Sequence, residues 1–333
     1  MKAIVYSQNE LPITDEKSLY EMDFPKPQPG EHDLLVKIAA IAVNPVDTKV
    51  RHNAPVTEPR ILGWDATGMV EAVGSKVTLF KPGDKVFYAG SIVRPGSYAE
   101  YGLVDERITG KKPQSLSDAE AAALPLTSLT AWEMLFDRLE VGEGNNEAIL
   151  IIGAGGGVGS ILTQLSGKLT NLTVIGTSSR PETAEWVKSL GADYIIDHRK
   201  PFAEQLKALG IENVRYVASL THTDLHYAQI VEVLKPQGRM AVIDDPDTLD
   251  AMPLKRKAIS LHWELMFTRS MFQTEDMQRQ HAILTEVSKL VDAGKLQTTL
   301  GEHYGKITAT NLRKAHALIE SNKAKGKIVL EGF

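Results

Sequence analysis

Five glycines fall between Gly153 and Gly159, inside the stretch ILIIGAGGGVGS from Ile149 to Ser160. Glycine permits the sharp bend and close backbone approach that a bulky anion demands, and a helix starting there aims unpaired N–H groups and the positive end of its dipole at that anion. The chemistry implied is binding of a dinucleotide pyrophosphate. A structural turn or flexible loop can have the same composition, so the flanking sequence has to decide. Two other places offer reactive groups. His222 and His226, in HTDLH, stand four apart and could ligate a metal, but a loop carrying two solvated histidines is the simpler account. Asp244 and Asp245 precede Pro246 in an acid-rich turn to which no role attaches. Cysteine is absent, which excludes disulfides and thiolate metal sites.

The elements around the glycines fit a nucleotide site. Ile149 to Ile152 run apolar into the turn, and ILTQLSGKL follows with apolar residues at helical spacing, so strand, turn and helix are expected in that order. Further apolar runs follow at Thr173 to Thr177, Asp193 to Asp197, Tyr216 to Leu220 and Met240 to Ile243. Helical patterns over Glu182 to Leu190, Phe202 to Leu209 and Leu225 to Leu234 separate them. This alternation predicts a doubly wound α/β domain with a parallel sheet, whose ligands sit beyond the carboxyl ends of the strands. The residues just after each run are therefore the ones to weigh.

The whole chain, 333 residues and 43% hydrophobic, can bury substantial cores and is expected to form two domains. A net charge of −5 with both signs mixed leaves no basic stripe, so nucleic acid is not an expected partner. MKAIVYSQNE lacks the basic start and long apolar run of a signal peptide, and no later stretch reaches membrane-spanning length. A soluble cytoplasmic protein is expected. Up to about Leu124, short apolar runs such as LLVKIAAIAV and SYAEYGLV alternate with turn signals such as FKPGDKV, which predicts an all-β domain with little helix. LSDAEAAALPLTSLTAWEMLF then reads as helix interrupted at Pro125. Beyond Ile243 come the apolar run KAISLHWELMF (Lys257 to Phe267), helical patterns over Thr274 to Ala293 and Thr310 to Glu320, and a final strand, KIVLEGF. Such a closing strand most simply returns to the first domain.

Motifs along essentially the whole chain resemble the medium-chain dehydrogenase/reductase superfamily, on the quinone oxidoreductase and zeta-crystallin side, within the group labelled zinc-type alcohol dehydrogenase-like. They are VNPVDTKVR (Val43 to Arg51), LGWDATGMVEAVG (Leu62 to Gly74), GSYAEY (Gly96 to Tyr101), LPLTSLTAWE (Leu124 to Glu133), GAGGGVG, and the ending KAKGKIVLEGF. The resemblance implies a GroES-like β domain, residues 1–124 and 268–333, and an inserted Rossmann domain, residues 125–267. In zinc-dependent relatives a Cys, a His and a second Cys hold the metal; the matching positions here are Asn44, Trp64 and Leu126, which cannot form the usual site. Asp65 stands where that motif has Glu, and a lone carboxylate is not a site. The four-cysteine structural lobe is also missing.

The same resemblance implies roles for further residues. Asn44 is the first catalytic candidate, its amide beside the nicotinamide where it can orient the ring or the substrate oxygen. Lys49 is the second, as a proton donor or a hold for an anionic oxygen, against an ordinary solvated lysine. Asp47 braces the loop, and Pro45 fixes it next to Asn44. Ala154, Gly156 and Gly159 fall on the three positions of GxGxxG, and Gly155, Gly156, Gly157 and Val158 offer backbone to the pyrophosphate. Thr130 contributes a hydroxyl near the phosphates, and Lys327 matches a basic residue that pairs with them. Leu220 and Ile243 line the nicotinamide pocket. After the second strand, NAD-preferring relatives carry an acidic residue; here Ser178, Ser179 and Arg180 suit the 2′-phosphate of NADPH, with Arg199 adding to the clamp and His198 stacking nearby.

The function expected is zinc-independent, NADPH-dependent reduction of a quinone, enone or related activated carbonyl. A metal-dependent alcohol dehydrogenase and a non-catalytic NADPH- or RNA-binding protein of zeta-crystallin type are the alternatives. A homodimer is expected through the edge strand within Lys257 to Phe267, which relatives pair with its symmetry mate.

Overall fold

The computed structural model describes residues 1–142 and 144–333. They gather into two compact units, Met1–Leu129 with Phe267–Phe333, and Thr130–Met266.

In the second unit a parallel sheet runs in the order Tyr194–Ile196, Thr173–Thr177, Ala148–Ile152, Val214–Ser219, Leu234–Val242, Ser260–Trp263. The Ala148–Ile152 strand (AILII) is buried at every position, as a strand covered on both faces must be. Ile149 pairs with Val174 on one side and Tyr216 on the other, so the order of the strands reverses next to the glycine turn. That reversal opens a crevice at the carboxyl ends of the strands. Helices Gly157–Leu169, Pro181–Ser189, Phe202–Ala208 and Thr223–Val233 connect the strands. Of the apolar run from Lys257 to Phe267 only Ser260–Trp263 is strand. Lys257 instead turns its ammonium onto the carbonyl oxygens of Val231, Glu232 and Leu234, closing the end of the Thr223–Val233 helix.

The first unit is built on the long strand Asp33–Val43, which pairs antiparallel with Ala66–Val73, Tyr101–Asp105 and Lys327–Glu331. The closing strand thus returns to the first unit, with Ile328 opposite Val43. This unit carries more helix than its alternating sequence suggests. Pro45 begins a helix, Pro45–Asn53, at the position where proline's missing N–H costs nothing. Ser117 and Glu120 cap a second, Asp118–Ala122, and the chain restarts after it at Pro125 as the helix Pro125–Trp132. The helix expected from Thr274 begins only at Arg279 and runs to Asp292. The physical reason is Asp276, whose carboxylate accepts from Thr274 Oγ1 and Arg269 Nε and holds the preceding residues in a turn.

Candidate functional site

The glycine turn joins the Ala148–Ile152 strand to the Gly157–Leu169 helix. Gly153 has φ +82°, a left-handed conformation that favours glycine, and its N–H donates to Thr177 Oγ1 at 3.1 Å. The other glycines differ in what they face. A Cβ on Gly155 would lie 2.1 Å from Thr183 Cγ2, and one on Gly159 would lie 2.4 Å from the Gly153 carbonyl oxygen. Protein packing alone therefore demands both. A Cβ on Gly156 would approach nothing closer than the Gly153 oxygen at 3.5 Å. The space beside Gly156, at the N-terminus of a 13-residue helix, could hold a phosphate. Gly157 and Val158 form the first turn of that helix. Ala154, in place of the first motif glycine, is fully buried, and its methyl lies 3.0 Å from where Gly176 would carry a Cβ. Glycine at 176 in the neighbouring strand makes room for alanine at 154.

Around this turn the other expected cofactor residues take up several positions. Leu220 and Ile243 each extend a strand by one hydrogen bond, to Ile152 and Ser219, and stand at the carboxyl end of the sheet. Thr130 is buried in the Pro125–Trp132 helix. Ser178 is buried at the end of Thr173–Thr177, its hydroxyl donating to the Arg180 carbonyl oxygen. Arg180 lies within 3.6 Å of Glu182. Arg199 is forked onto Asp197, with Nε at 3.0 Å and Nη2 at 2.8 Å, and also donates to the Ser179 carbonyl oxygen. Its guanidinium holds the Asp197 carboxyl well below the usual carboxylate range. A phosphate here would meet an arginine already paired.

Of the solvated pair that HTDLH suggests, His222 is exposed and His226 departs from it. His226 packs on Phe202, ring centroids 5.5 Å apart, and on His198 at 6.0 Å. Burial lowers the pKa of both His198 and His226, opposed at His198 by the Asp197 carboxylate and reinforced at His226 by the neighbouring histidines. Asp244, without a role on sequence grounds, accepts from the Thr223 N–H and hydroxyl and caps the Thr223–Val233 helix.

A buried polar network in the first unit surrounds Asn44. Asn44 precedes the Pro45–Asn53 helix and is 1% exposed. Its backbone N–H donates to Asp47 Oδ2 at 2.8 Å, so Asp47 braces the turn. Its side-chain Nδ2 donates to Asp65 Oδ2 at 2.8 Å, while Oδ1 accepts from Lys327 Nζ. Asp65 also accepts from the Leu126 N–H through Oδ1 and from Lys327 through Oδ2. On the far side of Asp47, Tyr98 donates to Oδ2 and contacts His316 Nε2 at 3.2 Å. Burial pushes the Asp47 carboxyl up to about 7, against the donors from Asn44 and Tyr98. Burial also lowers His316 to about 3, with Arg51 adding to the effect.

Sequence reasoning missed Tyr98 and His316 and left Asp65 alone. Tyr98 lies in a quoted motif, GSYAEY, but nothing local connects it with His316, 218 residues away. Lys327 corrects an expectation. An ammonium has three donors, and these go to Val43 O, Asn44 Oδ1 and Asp65 Oδ2, leaving none for a pyrophosphate. Lys49 is exposed on the Pro45–Asn53 helix.

The residues at the zinc-ligand positions do not fit zinc. Trp64 is buried with its indole N–H donating to Ser91 O at 3.1 Å. Leu126 offers an apolar side chain, and the Asn44 oxygen already faces an ammonium, which would repel a dication. Among the described residues no group of three or more His, Cys, Asp or Glu side chains is placed to hold a metal.

Residues 30–114 match the alcohol dehydrogenase GroES-like domain, and residues 190–330 match the zinc-binding dehydrogenase family. A zinc-type alcohol dehydrogenase-like protein of Staphylococcus aureus (strain MSSA476) is 43% identical over 310 residues, 92% of each chain. The quinone oxidoreductase of Homo sapiens is 27% identical over 314 residues, again 92% of each chain. The crystal structure of a protein described as a zinc-dependent alcohol dehydrogenase from Rhizobium etli CFN 42 aligns with TM-score 0.97 and 57% identity, over 100% of this chain and 98% of the other.

Proposed function

Since the chain belongs to the medium-chain dehydrogenase/reductase superfamily of oxidoreductases, on its quinone oxidoreductase and zinc-type alcohol dehydrogenase-like side, we propose that it is a zinc-independent reductase using NADPH on a quinone, enone or related activated carbonyl. The observation that carries this reading is the Asn44 network, where the residue at one zinc-ligand position is an amide already held between the Lys327 ammonium and the Asp65 carboxylate. NADPH, when bound, supplies the hydride. The chain's own part is to hold the dinucleotide phosphates at the Gly156 cradle and to offer a hydrogen-bond donor to the developing oxyanion. Asn44 supplies that donor. Saturated alcohols would gain little from such a site, since no Lewis acid activates them. Activated carbonyls and quinones need less polarisation.

The decisive experiment follows NADPH and NADH oxidation over a panel of quinones, enones, saturated aldehydes and alcohols. NADPH should be preferred and the quinones or enones reduced fastest. The Asn44→Ala enzyme should lose about 2.7–4 kcal/mol of transition-state stabilisation in turnover while its NADPH affinity is kept. Tighter binding of NADH, or activity confined to alcohols, would replace this reading.

A further inference from the structure

Lys327 begins the closing strand, and its side chain is 3% exposed. The three oxygens that receive its ammonium are fixed by sheet register. Ile328 pairs with Val43, and Asp65 directly precedes the Ala66–Val73 strand, whose Ala66 pairs with Ile41. The Val43 carbonyl, the Asn44 amide oxygen and the Asp65 carboxylate therefore converge from the ends of paired strands. The Asn44 amide is held between two unlike partners. Its oxygen faces a group that only donates, and its nitrogen faces a carboxylate that, ionised, only accepts. One orientation of the amide satisfies both, and the reverse satisfies neither. The second Nδ2–H has no partner among the described residues.

We propose that Lys327 is a positioning residue: its ammonium fills a cation seat of three oxygens and locks the Asn44 amide so that one N–H stays available to the substrate's carbonyl oxygen. The seat accepts a primary ammonium, and the positioning role rests on the function proposed above for Asn44. Remove the ammonium and Asp65 is left buried without its counter-charge, so it binds a proton and either end of the amide can face it. Asn44 then loses its fixed orientation although it stays in place.

The test uses Lys327→Ala in the full chain, with propylammonium as the probe because it restores the atoms removed. Turnover of the variant should fall by about tenfold or more while NADPH affinity is unchanged. Propylammonium should raise the variant's Tm by binding the native state and restore turnover at the same half-saturating concentration, and propanol should do neither. Weaker NADPH binding with unchanged saturated turnover would overturn the proposal and return Lys327 to the pyrophosphate. A Tm gain without recovery of turnover would overturn it too, leaving the lysine merely structural. Should Lys327→Ala fail to fold, Asp65→Asn carries the test, with lower turnover and intact NADPH affinity expected; failure of both to fold also reduces the pair to a structural role. If the unmodified protein oxidises no NADPH on any carbonyl, the proposed function fails, while the Tm response still reports the seat.

Discussion

At the end of the Thr173–Thr177 strand, position 178 offers a serine hydroxyl where an acidic side chain would repel a phosphate. Arg180 follows it, 3.6 Å from the exposed Glu182, a looser pairing than the two-point grip of Asp197 on Arg199. Arg180 is therefore the residue on which 2′-phosphate recognition should turn. Arg180→Ala is expected to weaken NADPH binding by about 1.5–3 kcal/mol and to leave NADH binding unchanged, because only the former loses a charge-assisted hydrogen bond. Calorimetric titration of both nucleotides checks this, and an equal effect on the two would remove Arg180 from the phosphate. The hydroxyls, glycines and arginine could be proposed from the sequence because each would act through chemistry it carries locally. Lys327 was not, because its meaning depends on Asn44, 283 residues away, and on the burial of both.

The turn and its helix allow a separation of packing from binding. Gly159→Ala should destabilise the protein by about 1–3 kcal/mol or more, since the new methyl would press on the Gly153 carbonyl. Gly156→Val should leave Tm nearly unchanged and abolish nucleotide binding, because that side faces open space wanted by a phosphate. Thermal melts with and without NADPH distinguish the two; a binding loss in neither would move the phosphate elsewhere. A second element-scale device is the buried carboxyl pair where the edge strand ends. Glu264 accepts from Arg138 Nε at 2.8 Å through Oε2, and burial together with Glu133 pushes it from 4.5 up to about 8. A carboxyl with a raised folded pKa keeps extra protons in the native state between those two values. Its contribution is thus fully present below about 4.5 and lost as pH rises through about 8. Glu264→Gln should flatten the fall in stability across that window, as read from urea midpoints; an unchanged slope would mean the proton resides elsewhere.

For the whole molecule, the mismatch between its residues and a zinc site predicts that chelation leaves turnover unchanged and that elemental analysis finds less than stoichiometric zinc. Chelator-sensitive turnover restored by zinc would favour the metal-dependent reading. No helix among the described residues is long and apolar enough to cross a membrane. The Ser260–Trp263 strand ends the parallel sheet among the described residues, with Trp263 53% and Leu265 50% exposed. An apolar strand at a sheet edge invites pairing with a second copy. The expected outcome is a dimeric mass in sedimentation at micromolar concentration, shifted to monomer by Trp263→Glu; a monomer for the unmodified chain would count against edge pairing.

Sequence by itself determined the succession of strand, turn and helix in the second unit, the place of its glycine turn, and the absence of thiolate chemistry. Those properties come from short-range periodicity and from the steric freedom of single residues, which act before any tertiary contact exists. Tertiary structure alone decided what Asp65, Tyr98, His316, Lys327 and Glu264 do. Each is an ordinary polar residue until strand register and burial bring it against a partner far along the chain. Removal from water then sets which proton or hydrogen bond it keeps.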